Sequence, residues 1–248
     1  MKLYDNSRTV DNEQEILSSF QIRSLVSYQQ HPCIRDIPYA ATPRSHLDLF
    51  PLAHANKTVV FVHGGYWQWC NKSDFAFIAS DILAKNMQCV LLEYDLAPQR
   101  KMGEIVNQIQ QALDFIQKQS WMTKEILLVG HSAGAHLSAI WLKHAAVTKA
   151  VLLSGIYDLS PIQKTHLNFA LDLSEHEIRQ YSPLFIDTTI QKPYAIFCGT
   201  QELEELIWQS QSYFHKRKKL DQNFVSFELL NNINHYNILD QYFKHILN

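Results

Sequence analysis

Cysteine is scarce in this chain and is never paired in sequence. Cys33, Cys70, Cys89 and Cys198 are scattered, with no C-x-x-C and no Cys/His cluster at zinc spacing. The chain has 248 residues, 46% of them hydrophobic, so it can bury a core without a disulfide framework. Idle thiols in a reducing compartment are the expected state. An excess of one charge is missing too. The formal net charge is −2, which gives no basic surface for nucleic acid and no acidic tail for a cationic partner. The opening residues Met1-Lys2-Leu3-Tyr4-Asp5-Asn6 lack the apolar run of a signal peptide, and no apolar stretch is long enough to span a bilayer. The cytoplasm is therefore the expected location. Repeats, low-complexity tracts and Gly/Ser/Pro-rich linkers are absent, and one domain over residues 1–248 is expected.

What is present is alternation. Short apolar or β-branched runs stand at residues 58–62, 88–93, 125–129, 150–153, 194–198 and 225–229. Helix-like stretches fall at 73–85, 102–119, 133–144, 204–219 and 237–246. This rhythm predicts an α/β fold, with a mostly parallel central sheet and helices on both faces. Residues 36–39 and 47–50 read as short antiparallel strands at one edge. Residues 157–191 break the rhythm. They hold Pro161 and Pro183 and no strong strand, with short helices expected near 166–171 and 174–180. An insertion after a central strand sits over the strands' carboxyl ends, where open α/β sheets bind ligands, so this segment is expected to be a small cap.

The apolar run Leu127-Leu128-Val129 leads directly into Gly130-His131-Ser132-Ala133-Gly134, and a helix-like segment follows. That strand–turn–helix context makes G-x-S-x-G a nucleophile elbow and the chain an expected α/β hydrolase, with Ser132 as nucleophile. An acyl-transfer enzyme also needs N–H donors for the oxyanion. Ala133, next to the nucleophile, supplies one. Val62-His63-Gly64-Gly65 offers Gly64 and Gly65 after an earlier strand. In this fold the acid and then the histidine follow the serine. His235, in the loop after the last strand, is the expected base, because His215 and His245 fall in helical patterns. Three glutamates compete for the acid. Glu202 lies nearest the end of the preceding strand and is the expected one, while Glu204 and Glu205 have the look of first-turn helix residues. Twelve histidines invite a metal site, but no H-E-x-x-H occurs and His131 and His136 are not on one helical face. Neither metal nor cofactor is expected.

These residues carry a family resemblance. The chain resembles the kynurenine formamidase (arylformamidase) family of α/β hydrolases, whose hallmark H-G-G-x-W stands here as His63-Gly64-Gly65-Tyr66-Trp67. Further matches are Glu93-Tyr94-Asp95-Leu96-Ala97-Pro98, the elbow extended through Ala135-His136-Leu137, and Ser154-Gly155-Ile156-Tyr157-Asp158-Leu159. The resemblance covers nearly the whole chain and is strongest over residues 58–159. It implies hydrolysis of N-formyl-L-kynurenine to formate and L-kynurenine, with Gly64 and Gly65 in the oxyanion hole, Ser132 as nucleophile and His235 as base. The acid region departs from the family pattern. Many members carry Asp, some Glu, followed by a P-E-F-like stretch, where this chain has Glu202 and then Leu203-Glu204-Glu205-Leu206.

The expected partner is a small molecule, and a homodimer is compatible with the fold class. The substrate pocket is expected to draw on His63, Tyr66, Trp67, His131 and Tyr157, with Trp69 close by, since aromatic rings suit a planar anilide. Arg100 and Arg179 are read as surface residues. Two other functions remain open: a broad short-chain carboxylesterase, and a non-catalytic ligand-binding protein built on the same fold.

Overall fold

The computed structural model describes residues 4–247. Met1, Lys2 and Leu3, which open the stretch read above for a signal peptide, lie outside the described residues, as does Asn248. Eight strands form one sheet: β1 (Ile34–Pro38), β2 (His46–Phe50), β3 (Lys57–Val62), β4 (Met87–Leu92), β5 (Ile126–His131), β6 (Lys149–Leu153), β7 (Tyr194–Gly199) and β8 (Val225–Leu230). Their spatial order is β1-β2-β4-β3-β5-β6-β7-β8. β2 runs antiparallel to both its neighbours, and β4, β3, β5, β6, β7 and β8 pair in parallel. Every residue of β4 and β5 is buried, as a parallel sheet covered on both faces requires.

The two-residue period of a strand sorts its side chains between two cores. Val60 and Val62 of β3 and Leu128 of β5 pack in one, while Val59, Phe61, Leu127 and Val129 pack in the other. The first core takes up α3 (Met102–Ile116), α4 (Ala133–Ile140) and the buried side of α8 (Glu204–Asp221). The second takes up α1 (Glu13–Gln30), α2 (Ile78–Ala84) and α9 (Ile238–Asp240). In α3 the apolar residues Met102, Ile105, Val106, Ile109, Ala112, Leu113 and Ile116 recur at helical spacing and are all buried. The Glu104 carboxylate accepts the Lys101 N–H at 3.0 Å and closes its first turn.

Between β6 and β7 the chain makes three short helices, α5 (Ser160–Gln163), α6 (Asn168–Leu171) and α7 (Glu175–Tyr181). Several helix-like stretches are shorter or less regular than their spacing predicts. Residues 73–85 divide into a 3₁₀ turn, Lys72–Phe75, and α2. α4 stops at Ile140 rather than continuing to His144. The C-terminal stretch passes from α9 into a π-helical turn, Gln241–Ile246. The long α1 stands where no helix was expected. Among the described residues no helix is long and apolar enough to cross a membrane, and all four cysteines are free thiols.

Candidate active site

The carboxyl ends of six adjacent strands bring the chemistry together. Residues 63–65 follow β3, Glu93 and Tyr94 follow β4, Ser132 follows β5, Ser154 follows β6 and Glu202 follows β7. His235 lies in the loop after β8.

Ser132 occupies the turn between β5 and α4 with φ +56° and ψ −120°, a left-handed backbone that a residue with a Cβ adopts only under constraint. Its N–H donates to the Leu153 carbonyl at 2.8 Å, which ties the turn to β6. The flanking glycines are dictated by space. A Cβ on Gly130 would lie 2.3 Å from the Gly134 oxygen, and one on Gly134 would lie 2.0 Å from the Val62 oxygen. Gly64 approaches from the neighbouring strand, and a Cβ there would meet the Ser132 Cβ at 2.9 Å. The Gly64–Gly65 backbone therefore runs directly beside the serine. Gly64 and Gly65 N–H groups donate to no acceptor among the described residues. The Ala133 N–H opens α4, where a helix leaves its first donors free.

Of the three competing glutamates, only Glu202 meets a histidine. Its Oε2 accepts from His235 Nδ1 at 2.9 Å. Its Oε1 accepts from the Ser154 hydroxyl at 2.6 Å, the Gly199 N–H at 2.7 Å and the Cys198 thiol at 3.4 Å. Such a carboxylate is buried without being left unpaired. Glu204 and Glu205 form the first turn of α8, on the more open side of the chain. With Nδ1 turned to Glu202, the other ring nitrogen of His235 is free for chemistry. His131 holds the loop from below. Its Nε2–H donates to the His235 carbonyl at 2.9 Å, and the two rings stand 4.6 Å apart. Burial, and then repulsion from His235, hold the His131 imidazole well below its usual range, so it stays neutral beside its partner.

Ser132, His131, His235, Gly64 and Gly65 all face one cavity of about 660 Å³. The pocket residues expected from sequence divide at this point. Tyr66 lines the cavity, together with Trp69. Trp67 and Tyr157 do not. Trp67 is fully buried, edge-on to the His136 ring at 4.9 Å, and Tyr157 stacks on Tyr213 at 4.2 Å. His63 also stands behind the wall, fully buried between Glu93 and the Gly64 carbonyl. Alternate residues after Gly65 cannot all face the ligand, because Tyr66 and Trp67 both take positive φ and the loop folds back on itself. Arg100 binds Asp95 and Glu104, Arg179 is exposed, and neither reaches the cavity.

Two further walls complete the cavity. Tyr4, Asp5, Asn6, Glu13, Leu17 and Phe20 form one, which nothing in the sequence marked, and residues 164–167, inside the segment expected as a cap, form the other. The N-terminal segment is fastened by long-range hydrogen bonds, two of them to residues that line the cavity. Asn6 Nδ2 donates to the Tyr66 hydroxyl at 3.2 Å, and the Tyr236 hydroxyl donates to the Glu13 carboxylate. Tyr236 follows His235 directly, so α1 is fastened to the histidine loop itself. Among the described residues, no group of three or more His, Cys, Asp and Glu side chains is arranged to hold a metal ion.

His136 adds a testable consequence. It is fully buried on α4, its Nε2–H donates to the Tyr181 carbonyl at 2.7 Å, and burial lowers its pKa from 6.5 to about 4. Unfolding frees the ring to take a proton, so its contribution is full above pH 6.5 and is lost as pH falls toward 4. Between pH 7 and 5 the native protein should lose about 2 kcal/mol more stability than His136→Gln. Denaturant titrations of both proteins at the two pH values measure this, and equal losses would show that His136 does not carry the acid sensitivity.

Comparison with known proteins agrees with this architecture. A family model for the alpha/beta hydrolase fold matches residues 59–206. The chain belongs to that family, a class of enzymes that hydrolyse amide and ester bonds. Within it the chain is kynurenine formamidase-like. The kynurenine formamidase of Salmo salar is 28% identical over 83% of this chain and 76% of its own length. That of Danio rerio is 29% identical over 84% of this chain and 76% of its own. Among solved structures, a putative thioesterase from Silicibacter sp. TM1040 superposes with a TM-score of 0.89 at 22% identity. That match covers 99% of this chain and 95% of the other, and it is a likeness of fold.

Proposed function

We propose that this protein is an arylformamidase that hydrolyses N-formyl-L-kynurenine to L-kynurenine and formate through Ser132, His235 and Glu202. The observation that carries the catalytic reading is the Glu202–His235 hydrogen bond of 2.9 Å, which anchors from behind a histidine that lines the same cavity as a serine held at φ +56°. The formamide reading rests on similarity to kynurenine formamidases over more than four-fifths of the chain.

In this mechanism Ser132 Oγ attacks the formyl carbon while His235 Nε2 takes the hydroxyl proton. The carbonyl oxygen becomes an oxyanion facing the N–H groups of Gly64, Gly65 and Ala133. Glu202 keeps His235 in the tautomer that presents a bare Nε2, and stabilises the imidazolium once it forms. The imidazolium returns its proton to the aniline nitrogen, the C–N bond breaks, and L-kynurenine leaves. Water, deprotonated by His235, attacks the formyl-serine ester and releases formate. Residues 157–191 serve as a small cap, since residues 164–167 form part of the cavity rim. The aromatic faces of Tyr66, Trp69 and Phe20 suit a planar ring.

A short-chain carboxylesterase would use the same atoms, so the assay must separate leaving groups. Purified protein is given N-formyl-L-kynurenine and, in parallel, p-nitrophenyl acetate. The expected result is a kcat/KM for the formamide above the general range floor of about 10⁴ M⁻¹s⁻¹. Turnover of the ester alone would move the function to a general esterase.

A further inference from the structure

The paired motifs His63-Gly64-Gly65 and Glu93-Tyr94 are explained by the sheet itself. β3 and β4 are parallel neighbours, with Val62 opposite Leu92. The next residues on each strand, His63 and Glu93, therefore emerge side by side, and Tyr94 emerges beside Gly64. His63 is fully buried, with its ring stacked on Tyr94 at 4.4 Å on one side and on Phe75 at 5.9 Å on the other. Both its ring nitrogens face acceptors: Nδ1 meets the Gly64 carbonyl at 2.7 Å and Nε2 meets Glu93 Oε1 at 2.8 Å. Glu93 is itself held by Arg44 at 2.7 Å and by the Lys72 N–H at 3.0 Å, so it is a fixed anchor.

A peptide unit is planar and trans, so its C=O and N–H point in opposite directions. The Gly64 carbonyl shares a plane with the Gly65 N–H. The His63 carbonyl, which accepts the Tyr94 hydroxyl at 2.8 Å, shares a plane with the Gly64 N–H. Each of the two glycine donors thus has its opposite end held from behind by a buried side chain. The loop needs such holding, because Gly65, Tyr66 and Trp67 carry successive φ values of +105°, +49° and +58°. Backbone of that kind persists only where its surroundings over-determine it.

We propose that His63 and Tyr94 are positioning residues for the oxyanion hole: Tyr94 aims the Gly64 N–H and His63, anchored by Glu93, aims the Gly65 N–H. This rests on the assignment of Gly64 and Gly65 as oxyanion donors made above. Neither side chain lines the cavity, so both act on the transition state through the backbone and not on substrate.

The test compares Tyr94→Phe, His63→Ala and His63→Asn with the native protein, using whichever of N-formyl-L-kynurenine and p-nitrophenyl acetate is turned over. Tyr94→Phe removes one hydroxyl and should lower kcat about 10-fold, and His63→Ala about 100-fold, each with little change in KM. Asn can replace the Nδ1 donor but cannot reach Glu93, so His63→Asn should recover part of what His63→Ala loses. Affinity for trifluoroacetophenone, a ketone that adds to the serine and forms an oxyanion, is read by fluorine NMR and needs no turnover. It should fall in parallel with kcat/KM. If His63→Ala does not fold, Tyr94→Phe decides alone. Tyr94→Phe within twofold of native in both kcat/KM and ketone affinity overturns the inference, as does a fall in kcat with ketone affinity unchanged. Activity that survives in Ser132→Ala overturns the catalytic reading instead, so the two failures are told apart.

Discussion

Ser132→Ala should lower kcat/KM by about 10⁵- to 10⁶-fold, on the formamide and on any ester alike. Losses of that size arise when the removed atom is the one that forms the covalent bond. What remains is binding and the oxyanion donors, which by themselves give only a small part of the acceleration. The substitution leaves the fold in place. Ser132 donates its N–H to Leu153, a bond that alanine keeps, and its side chain appears in no hydrogen bond among the described residues. Alanine meets the same φ of +56° with the same Cβ, so the strain is unchanged. The variant should therefore melt near the native temperature while failing to react with a fluorophosphonate probe. Retention of more than a tenth of native activity would remove Ser132 from the mechanism. A non-catalytic ligand-binding protein would show neither labelling nor turnover even with Ser132 in place.

The parts of this molecule that repeat a strong local pattern could be read directly from sequence. Six runs of β-branched and apolar residues became β3 to β8: the inner strands are covered on both faces and are almost wholly apolar, while the edge strand β8 leaves Ser226 and Glu228 exposed. Glycine was a guide for the same reason. The chain has only seven, and Gly64, Gly65, Gly130, Gly134, Gly155 and Gly199 all lie at or just beyond the strands' carboxyl ends, where the chain is crowded. The chain order of serine, acid and histidine, taken with those glycines, points to Ser132, Glu202 and His235, and the structure joins the last two by a hydrogen bond of 2.9 Å. Glu202 differs from Glu204 and Glu205 in one respect that position alone suggested: it comes before α8 begins and can turn back toward β8.

Long-range packing could not be read in this way. α1 has Ile16, Leu17, Phe20, Ile22, Leu25 and Val26 distributed around its circumference, so no single stripe marks it as a helix. Ile22 and Leu25 remain 62% exposed, and only Phe20, Ser24 and Ser27 are buried. Its place beside the cavity depends on Glu13 meeting Tyr236, residues 223 apart, which no local spacing encodes. The aromatic residues after Gly65 were ambiguous for a related reason. Once the loop leaves strand geometry, alternation no longer says which side a ring takes. Trp69 therefore reaches the cavity while Trp67 packs on His136. His63 was expected at the pocket, yet the β3–β4 register sets it beside Glu93.

Glu202→Gln carries the second large effect, and its direction follows from counting donors. Glu202 Oε1 receives the Ser154 hydroxyl, the Gly199 N–H and the Cys198 thiol. In the variant the amide oxygen must occupy that position, because an NH₂ group there would face three donors. The amide NH₂ is then turned toward His235 Nδ1, where the native carboxylate accepts at 2.9 Å. Nδ1 must now accept, so the ring carries its hydrogen on Nε2 and can no longer take a proton from Ser132. The imidazolium also loses its counter-charge. A fall in kcat of about 10³- to 10⁴-fold at neutral pH is expected, with KM little changed and the fold intact. Glu204→Gln and Glu205→Gln, made on the first turn of α8, should leave kcat within about twofold, since surface changes of this kind are small. Steady-state kinetics of the three variants separate the glutamates. A large loss in Glu204→Gln or Glu205→Gln, with Glu202→Gln near native, would move the acid off Glu202.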